Sequence, residues 1–187
     1  DAIPSILSDA LAVSFDNHVG HDYLEDYEER YDLYHRKEER IQFDLDFFNK
    51  ITKGGVPNKT LNIALAGTGV GKSLFMCHVA SSVLLQGKNV LYITLEMAEE
   101  KIAERIDANL LNVNIQNITE LPKPMFDKKV NTIAKKTQGT LIIKEYPTAS
   151  AHSGHFKSLL NELSLKKSFK PDIILSLIHI SEPTRPS

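Results

Sequence analysis

The sequence has little that would support a disulfide framework or a membrane span. Among its 187 residues there is one cysteine, Cys77, and no tryptophan. A single cysteine cannot form an internal disulfide, and its place on the apolar side of a helical pattern predicts a buried thiol in a reducing compartment. No apolar run approaches the roughly 18 residues that a membrane-spanning helix needs, and no signal-peptide pattern opens the chain. These absences favour a globular cytoplasmic protein.

The sequence also lacks an excess of charge of either sign. Its 22 basic and 24 acidic residues leave a formal net charge of -2. A surface that holds nucleic acid by charge alone is strongly basic, so any nucleic-acid contact must be local or supplied by residues absent here. With 42% hydrophobic residues, the chain can form one compact domain plus a short appendage. It begins with Asp1 rather than Met, and we expect an internal fragment.

The most informative stretch is a glycine-rich loop between an apolar run and a helical pattern. In order, its residues are Ala66, Gly67, Thr68, Gly69, Val70, Gly71, Lys72, Ser73 and Leu74. Glycines let the backbone turn so tightly that successive N–H groups face one centre, which makes a cradle for phosphate oxygens at a helix N-terminus. Lys72 adds a mobile positive charge for the β- and γ-phosphates, and Ser73 adds a hydroxyl ligand for Mg²⁺. The loop therefore predicts ATP binding, with an ordinary glycine-rich turn as the disfavoured alternative.

Strand and helix patterns alternate from residue 61 onward. The predicted strands are Leu61–Ala66, Val90–Thr94, Leu141–Lys144 and Asp172–Leu175. The predicted helices are Lys72–Gln86, Ala98–Leu111, Phe126–Thr137 and Phe156–Lys167. Short connections between such units require right-handed crossovers and a parallel sheet with helices on both faces. The sequence thus predicts an α/β fold whose ligand lies at the carboxyl ends of the strands.

The first 52 residues lack this alternation and split at Gly20 into two helical pieces. The spacing of apolar residues in Ile3–Phe15 predicts a short amphipathic helix, and its own segment offers few residues for that helix to pack against. The second piece is acidic and carries four tyrosines at helical spacing, namely Tyr23, Tyr27, Tyr31 and Tyr34. We favour the interpretation that these tyrosines cover the chain's own core, and the alternative is an arm that docks on a neighbouring subunit.

Glu96 follows the second predicted strand, in the segment Leu91-Tyr92-Ile93-Thr94-Leu95-Glu96-Met97. Together with residues 43–46 leading to 52–55, and with the apolar run that enters the glycine-rich loop, this segment resembles the DnaB-type (superfamily 4) replicative helicases, most closely those of T-even phages. The resemblance implies a RecA-like P-loop NTPase core and makes Glu96, with Lys72, a catalytic residue. Hydrolysis needs a carboxylate that orients and deprotonates the attacking water. The alternative role for Glu96 is an acid that complements a helix dipole.

The same resemblance implies a domain order and partners. Residues 1–52 would be a helical linker whose helix Ile3–Phe15 packs on the adjacent subunit of a hexamer, and residues 53–175 a partial ATPase core. The implied function is the nucleotide-binding part of an ATP-dependent replicative DNA helicase that works on single-stranded DNA with a primase and a helicase loader, in the bacterial host's cytoplasm if a phage encodes it. A RecA-like ATP-switched assembly module without unwinding activity is the alternative. A small-molecule or nucleotide kinase is disfavoured, because residues 95–140 offer only Arg105 for a lid.

The carboxyl-terminal end departs from the family pattern. The family's fourth strand ends in an aspartate that holds Mg²⁺ through water, but here the strand runs into Ser176 without one, and Asp172 lies at the wrong end of the strand. We interpret residues 176–187 as a non-native tail that resembles translated sequencing adapter. The family's DNA-binding loops and arginine finger lie beyond this point, so we expect this chain alone to bind ATP weakly and hardly hydrolyse it, while its full-length parent is a working motor.

Two smaller sets of side chains receive ordinary structural interpretations. Arg105 is expected to form a surface ion pair with Glu100 or Glu104. His152 and His155 have a short spacing that could suggest zinc, but no thiolate pair or further ligand cluster accompanies them, so we predict loop histidines.

Overall fold

The computed structural model describes residues 20–147 and 151–178, and the predicted helix Ile3–Phe15 lies outside them. The chain divides into two units between residues 39 and 40. The first contains α1 (Tyr27–His35). The second contains, in order, β1 (Arg40–Ile41), α2 (Asp46–Ile51), β2 (Val56–Pro57), α3 (Lys72–Leu85), β3 (Val90–Thr94), α4 (Glu99–Leu111), a 3₁₀ turn (Ile115–Asn117), α5 (Lys123–Lys136), β4 (Leu141–Glu145), α6 (Ser153–Lys167) and β5 (Ile173–Leu177). Within the described ranges, no helix is long and apolar enough to cross a bilayer.

The acidic helix α1 leaves its tyrosines in solvent. Tyr27, Tyr31 and Tyr34 are 59%, 63% and 73% exposed, and Tyr23 just before the helix is 74% exposed. No residue of α1 is buried. The helix buries none of these side chains by itself, and the interpretation that they cover the chain's own core stays a prediction. Helical spacing of aromatic residues shows that they share a face, but it does not show what that face meets.

A three-stranded parallel sheet with the order β4-β3-β5 forms the centre of the second unit. Val90 pairs with Leu141 and Ile173 at one end of β3. All five residues of β3 are buried, which is the pattern of a strand covered on both faces. The predicted α/β fold with a partial parallel sheet is confirmed, and most predicted helices and strands differ from the observed ones by three residues or fewer at each end.

Helices cover the two faces of the sheet with separate apolar clusters. On one face, Cys77 of α3 and Ile102 of α4 pack with Tyr92 of β3. On the other face, Leu159 and Leu163 of α6 pack with alternate residues of β3 and with Phe169. Burial of each large apolar side chain contributes about 1.5–3 kcal/mol. The predicted burial of Cys77 is confirmed, since it is 2% exposed, and burial raises the pKa of its thiol.

The predicted strand Leu61–Ala66 is absent from the sheet. This segment has no strand partner, and Leu61, Ile63 and Leu65 are 86%, 73% and 82% exposed. A strand needs a hydrogen-bonded neighbour, and both edges of β3 are already occupied by β4 and β5. A further parallel strand could join only at an outer edge, and none of the described residues makes that connection. The prediction of a strand here is therefore wrong, although the apolar pattern is real.

Two structural boundaries differ from those expected from the sequence. Residues 40–57 belong to the second unit, where β1 pairs antiparallel with β2, so the unit boundary precedes residue 52. At the other end, Ser176 and Leu177 extend β5, and Leu177 is 1% exposed. Residues 179–187 lie outside the described residues. The linker assignment of residues 1–52 and the non-native origin of residues 176–187 stay predictions.

The contribution of the α6 cluster can be tested within one helix. Leu163 is 8% exposed, whereas Leu165, two residues along, is 86% exposed. We expect Leu163→Ala to lower the free energy of unfolding by about 2–5 kcal/mol through lost transfer energy and a residual cavity. Leu165→Ala should change it by less than about 0.5 kcal/mol. Urea denaturation with comparison of midpoints and m-values measures both, and equal effects would contradict the packing described.

Candidate nucleotide-binding site

The glycine-rich loop enters α3 through a backbone that only glycine adopts readily. Gly69 and Gly71 have φ angles of 76° and 101°, in the left-handed region. A Cβ at either position would meet nothing within 4 Å, so backbone conformation rather than space requires glycine there. Gly71 immediately precedes Lys72, the first residue of α3. The glycines of the loop therefore determine the backbone conformation of the turn before α3.

The loop presents backbone N–H groups that no protein acceptor occupies. The first bond of α3 runs from the Phe75 N–H to the Gly71 carbonyl at 2.9 Å. Among residues 20–147 and 151–178, no acceptor takes a hydrogen bond from the backbone N–H groups of residues 67–74. Unpaired donors at the N-terminus of a 14-residue helix, where the helix dipole is positive, favour an anion. The arrangement suits phosphate oxygens.

Lys72 and Glu96, which the sequence predicts as catalytic residues, lie close together. Lys72 Nζ is 3.8 Å from Glu96 Oε2 and donates a hydrogen bond of 3.2 Å to the carbonyl of Ile178. The Lys72 side chain is 24% exposed and that of Glu96 is 36% exposed, so solvent screens their attraction to about 1 kcal/mol or less. The lysine thus bridges the carboxyl ends of β3 and β5.

The other predicted loop residues surround this pair with different exposure. Ser73 is half-buried in the first turn of α3, as are its neighbours on the N-terminal side, Gly71 and Lys72. The remaining predicted residues are exposed, namely Ala66, Gly67, Thr68, Gly69, Val70 and Leu74. The loop is therefore open to solvent, and its charged and hydroxyl groups lie at the helix end.

Two sets of hydrogen bonds fix the turn that carries Glu96. Thr94 Oγ1 donates to the Met97 carbonyl at 2.8 Å and accepts from the Met97 N–H at 3.1 Å. Further along, the Glu99 N–H donates to the Glu145 carboxylate at 3.2 Å, and the Glu145 N–H donates to the Glu99 carboxylate at 3.3 Å. Sequence reasoning missed the roles of Thr94 and Glu145. A threonine that ends a strand before a turn is the available signal for the first, because such hydroxyls commonly bond nearby backbone.

Arg105 does not form its expected surface pair. Glu104 pairs instead with Lys101 at 2.8 Å, and the described part of the chain contains no ion pair of Arg105. The Arg105 charge acts on the buried Tyr92 hydroxyl and Cys77 thiol. Burial raises the pKa of both groups, and Arg105 opposes that rise. The prediction is wrong, since Arg105 is half-buried and its charge acts on Tyr92 and Cys77.

The two histidines near α6 act on the backbone of its first turn. The His152 ring accepts a hydrogen bond from the Gly154 N–H at 3.1 Å, and the His155 ring accepts one from the His152 N–H at 3.3 Å. This reciprocal pattern caps the helix. In the described ranges there is no group of three or more His, Cys, Asp or Glu side chains that could hold a metal ion.

A parallel α/β sheet with a glycine-rich loop at a helix start, beside the carboxyl ends of the strands, defines the class of P-loop proteins. Residues 41–169 match the model of the DnaB-like helicase C-terminal domain, and the chain belongs to this family. The predicted family resemblance is confirmed. Membership implies nucleotide and metal use in coarse terms.

Individual relatives agree with the family. The chain is 49% identical over 177 residues to the DnaB-like replicative helicase of Enterobacteria phage T4. The aligned region covers 93% of this chain and 37% of the phage protein. It is 28% identical over 109 residues to the DNA repair protein RadA of Campylobacter jejuni, covering 58% of this chain and 24% of that protein. A solved structure of a DnaB-like replicative helicase, studied with its interactions with primase, matches with a TM-score of 0.58 at 14% identity, over 95% of this chain and 42% of that one. The chain therefore spans less than half the length of the relatives it matches.

The glycine requirement of the loop can be tested by two matched substitutions. Gly71→Ala places a Cβ at a φ of 101°, and we expect it to lower the free energy of unfolding by about 1–3 kcal/mol. Gly67 lies outside the left-handed region, and a Cβ there would make an ordinary contact of 3.6 Å with Val70. Gly67→Ala should therefore be neutral or slightly stabilising. Urea unfolding compares the two, and a Gly67→Ala loss as large as that of Gly71→Ala would contradict the backbone assignment.

Proposed function

We propose that this chain is the nucleotide-binding part of an ATP-dependent replicative DNA helicase, a ring motor that hydrolyses ATP to move along one strand and separate the duplex. The observation that carries the proposal is the 3.8 Å approach of Lys72 to Glu96 beside the unpaired N–H groups of residues 67–74. A phosphate-binding loop and a carboxylate that can serve as a base then lie in one site. Family membership adds the class of motor.

The loop residues would bind the triphosphate. Its oxygens would accept hydrogen bonds from the N–H groups of residues 67–74, and Lys72 would bind the β- and γ-phosphates. The Ser73 hydroxyl, at the first turn of α3, has no protein partner in the described ranges, which fits a ligand for Mg²⁺. When bound, Mg²⁺ neutralises phosphate charge. The donor set thus suits MgATP.

Glu96 would act as the general base. Its carboxylate follows the carboxyl end of β3, where it can orient and deprotonate a water on the side of the γ-phosphate away from the leaving group. In the arrangement described, Lys72 lies within ion-pair distance of Glu96. Phosphate oxygens compete for the same ammonium, so triphosphate binding would draw Lys72 away from this carboxylate. Nucleotide binding would therefore change the contacts of the proposed base.

The ring, the DNA and the other partners belong to the same proposal. A homo-hexamer would form through the N-terminal linker, including residues 3–15, and the exposed tyrosines around α1 supply an aromatic surface for a neighbouring subunit. Single-stranded DNA would bind mostly through residues absent from this chain. A primase and a helicase loader would be partners, and the structurally similar helicase was itself studied with primase. The protein would act in the cytoplasm of a bacterial host.

A RecA-like assembly module switched by ATP is the second candidate. The similarity to a DNA repair protein over 58% of this chain favours it. Such a module would use the same loop and base for hydrolysis, and would displace no DNA strand. The two candidates therefore differ in unwinding and agree in ATP chemistry.

Substitutions of Lys72 and Glu96 are expected to affect different steps, namely nucleotide binding and ATP hydrolysis. We expect Lys72→Ala to weaken binding of a fluorescent MgATP analogue by about tenfold or more, because a charge-assisted hydrogen bond to phosphate is lost. Glu96→Gln should retain binding. In a chimera in which residues 1–175 replace the matching segment of the phage T4 relative, it should slow single-turnover release of radiolabelled phosphate by about a hundredfold. Glu100→Gln, an exposed acid on α4, is the matched control and should behave as the unaltered chain. Equal phosphate release by the unaltered chimera and its Glu96→Gln variant would refute the base assignment.

Unwinding is testable in a chimera in which residues 1–175 replace the matching segment of the phage T4 relative. We expect ATP-dependent strand displacement on a forked duplex, and its loss in the same chimera with Glu96→Gln. A chimera that hydrolyses ATP with DNA present but displaces no strand would support the switched module instead. The unaltered phage protein provides the positive control for the substrate.

A further inference from the structure

The turn that carries Glu96 is closed by a buried hydroxyl. Thr94, the last residue of β3, is 0% exposed. Its Oγ1 bonds both the carbonyl and the N–H of Met97, at 2.8 Å and 3.1 Å. The chain leaves the sheet, passes through Leu95 and Glu96, and returns to the same side chain. One hydroxyl therefore satisfies two backbone groups and sets the path of the residues between them.

The ends of this turn are held by other elements. Thr94 is in register with Glu145 of β4 and Leu177 of β5, so the sheet holds its backbone on both sides. Met97 is partly buried and packs against the apolar cluster shared by α3 and α4. Beyond it, the reciprocal bonds between Glu99 and Glu145 tie the start of α4 to the end of β4. These contacts hold the two ends of the turn, and the hydrogen bonds of the Thr94 hydroxyl determine the conformation of the residues between them.

We propose that Thr94 is a positioning residue for Glu96, and that its hydroxyl keeps the carboxylate at the nucleotide site, within reach of Lys72. The inference rests on the proposed function, because it matters for hydrolysis only where Glu96 is the base. Without the hydroxyl, the N–H and carbonyl groups of Met97 lose their hydrogen-bond partner in a half-buried turn. These groups then rotate toward water, which changes the direction of Glu96, the residue before Met97. Small misplacements of a catalytic group have large effects on rate.

The chemistry predicts a particular set of variant effects. Thr94→Val keeps the shape of the side chain and removes the hydroxyl, whereas Thr94→Ser keeps the hydroxyl and removes a methyl group. Nucleotide binding belongs to the loop and to α3, which are separate elements from this turn. A positioning defect should therefore appear in the rate of hydrolysis and spare the affinity for MgATP. A purely structural defect would lower both, and serine would not restore them.

The experiment is single-turnover phosphate release from radiolabelled MgATP with the chimera of residues 1–175 and the phage T4 relative in excess, because the 187-residue chain alone is expected to hardly hydrolyse ATP. Nucleotide binding by the chimera and urea unfolding of the 187-residue chain accompany it. Thr94→Val should lower the rate constant by about tenfold or more and leave the dissociation constant within about twofold, while Thr94→Ser stays within about threefold of the unaltered chimera in rate. Thr132→Val is the matched control, because Thr132 on α5 also bonds a backbone carbonyl, that of Lys128, at 2.8 Å but is exposed. It should leave rate and affinity unchanged.

The outcomes distinguish this inference from the proposed function. An unchanged rate in Thr94→Val, with Glu96→Gln inactive, overturns the Thr94 role and leaves the helicase proposal intact. Equal losses in the valine and serine variants also overturn it, since the hydroxyl would then be irrelevant. Equal rates in the unaltered chimera and its Glu96→Gln variant overturn both. If Thr94→Val does not fold, hydrogen exchange of the Met97 amide in the unaltered chain decides: protection comparable to that of β3 supports the closed turn, and unprotected exchange overturns it.

Discussion

The burial of β3 on both faces is the constraint on which the rest of the structure depends. Because both edges and both faces of this strand are occupied, its carboxyl end has one position relative to β4 and β5. Glu96 and the turn around it emerge from that end. On one face, α3 follows the glycine-rich loop and α4 follows the turn that carries Glu96, so packing of the central strand determines how far Lys72 lies from Glu96.

Local patterns predicted most elements of the fold because their causes are local. Val90–Thr94 is a mainly apolar run, which suits a central parallel strand, and Gly87 at a φ of 80° follows the end of α3. The same reasoning failed for residues 61–66. There the pattern describes the segment correctly, and the missing information is whether a partner strand covers it.

Some features of the candidate site could likewise be predicted from the sequence, and others could not. The loop is readable from sequence because glycines and a following lysine determine its backbone and charge without help from the fold. The role of Glu96 came from family resemblance, and its distance to Lys72 required the sheet. Thr94 and Glu145 could not be identified beforehand, because each acts through a hydrogen bond whose partner is placed by tertiary structure. Long-range geometry is what the sequence pattern leaves out.

The exposed segment before the phosphate-binding loop has a consequence for ligand affinity. The loop is anchored at its carboxyl end by α3, whereas residues 61–66 at its amino end have no strand partner among the described residues. A ligand that orders such a tether bears the entropic cost of immobilising it. Under the proposed function, any neighbour that extended the sheet to residues 61–66 would meet that cost in advance and tighten nucleotide binding without touching the nucleotide. Affinity would then be coupled to completion of the sheet.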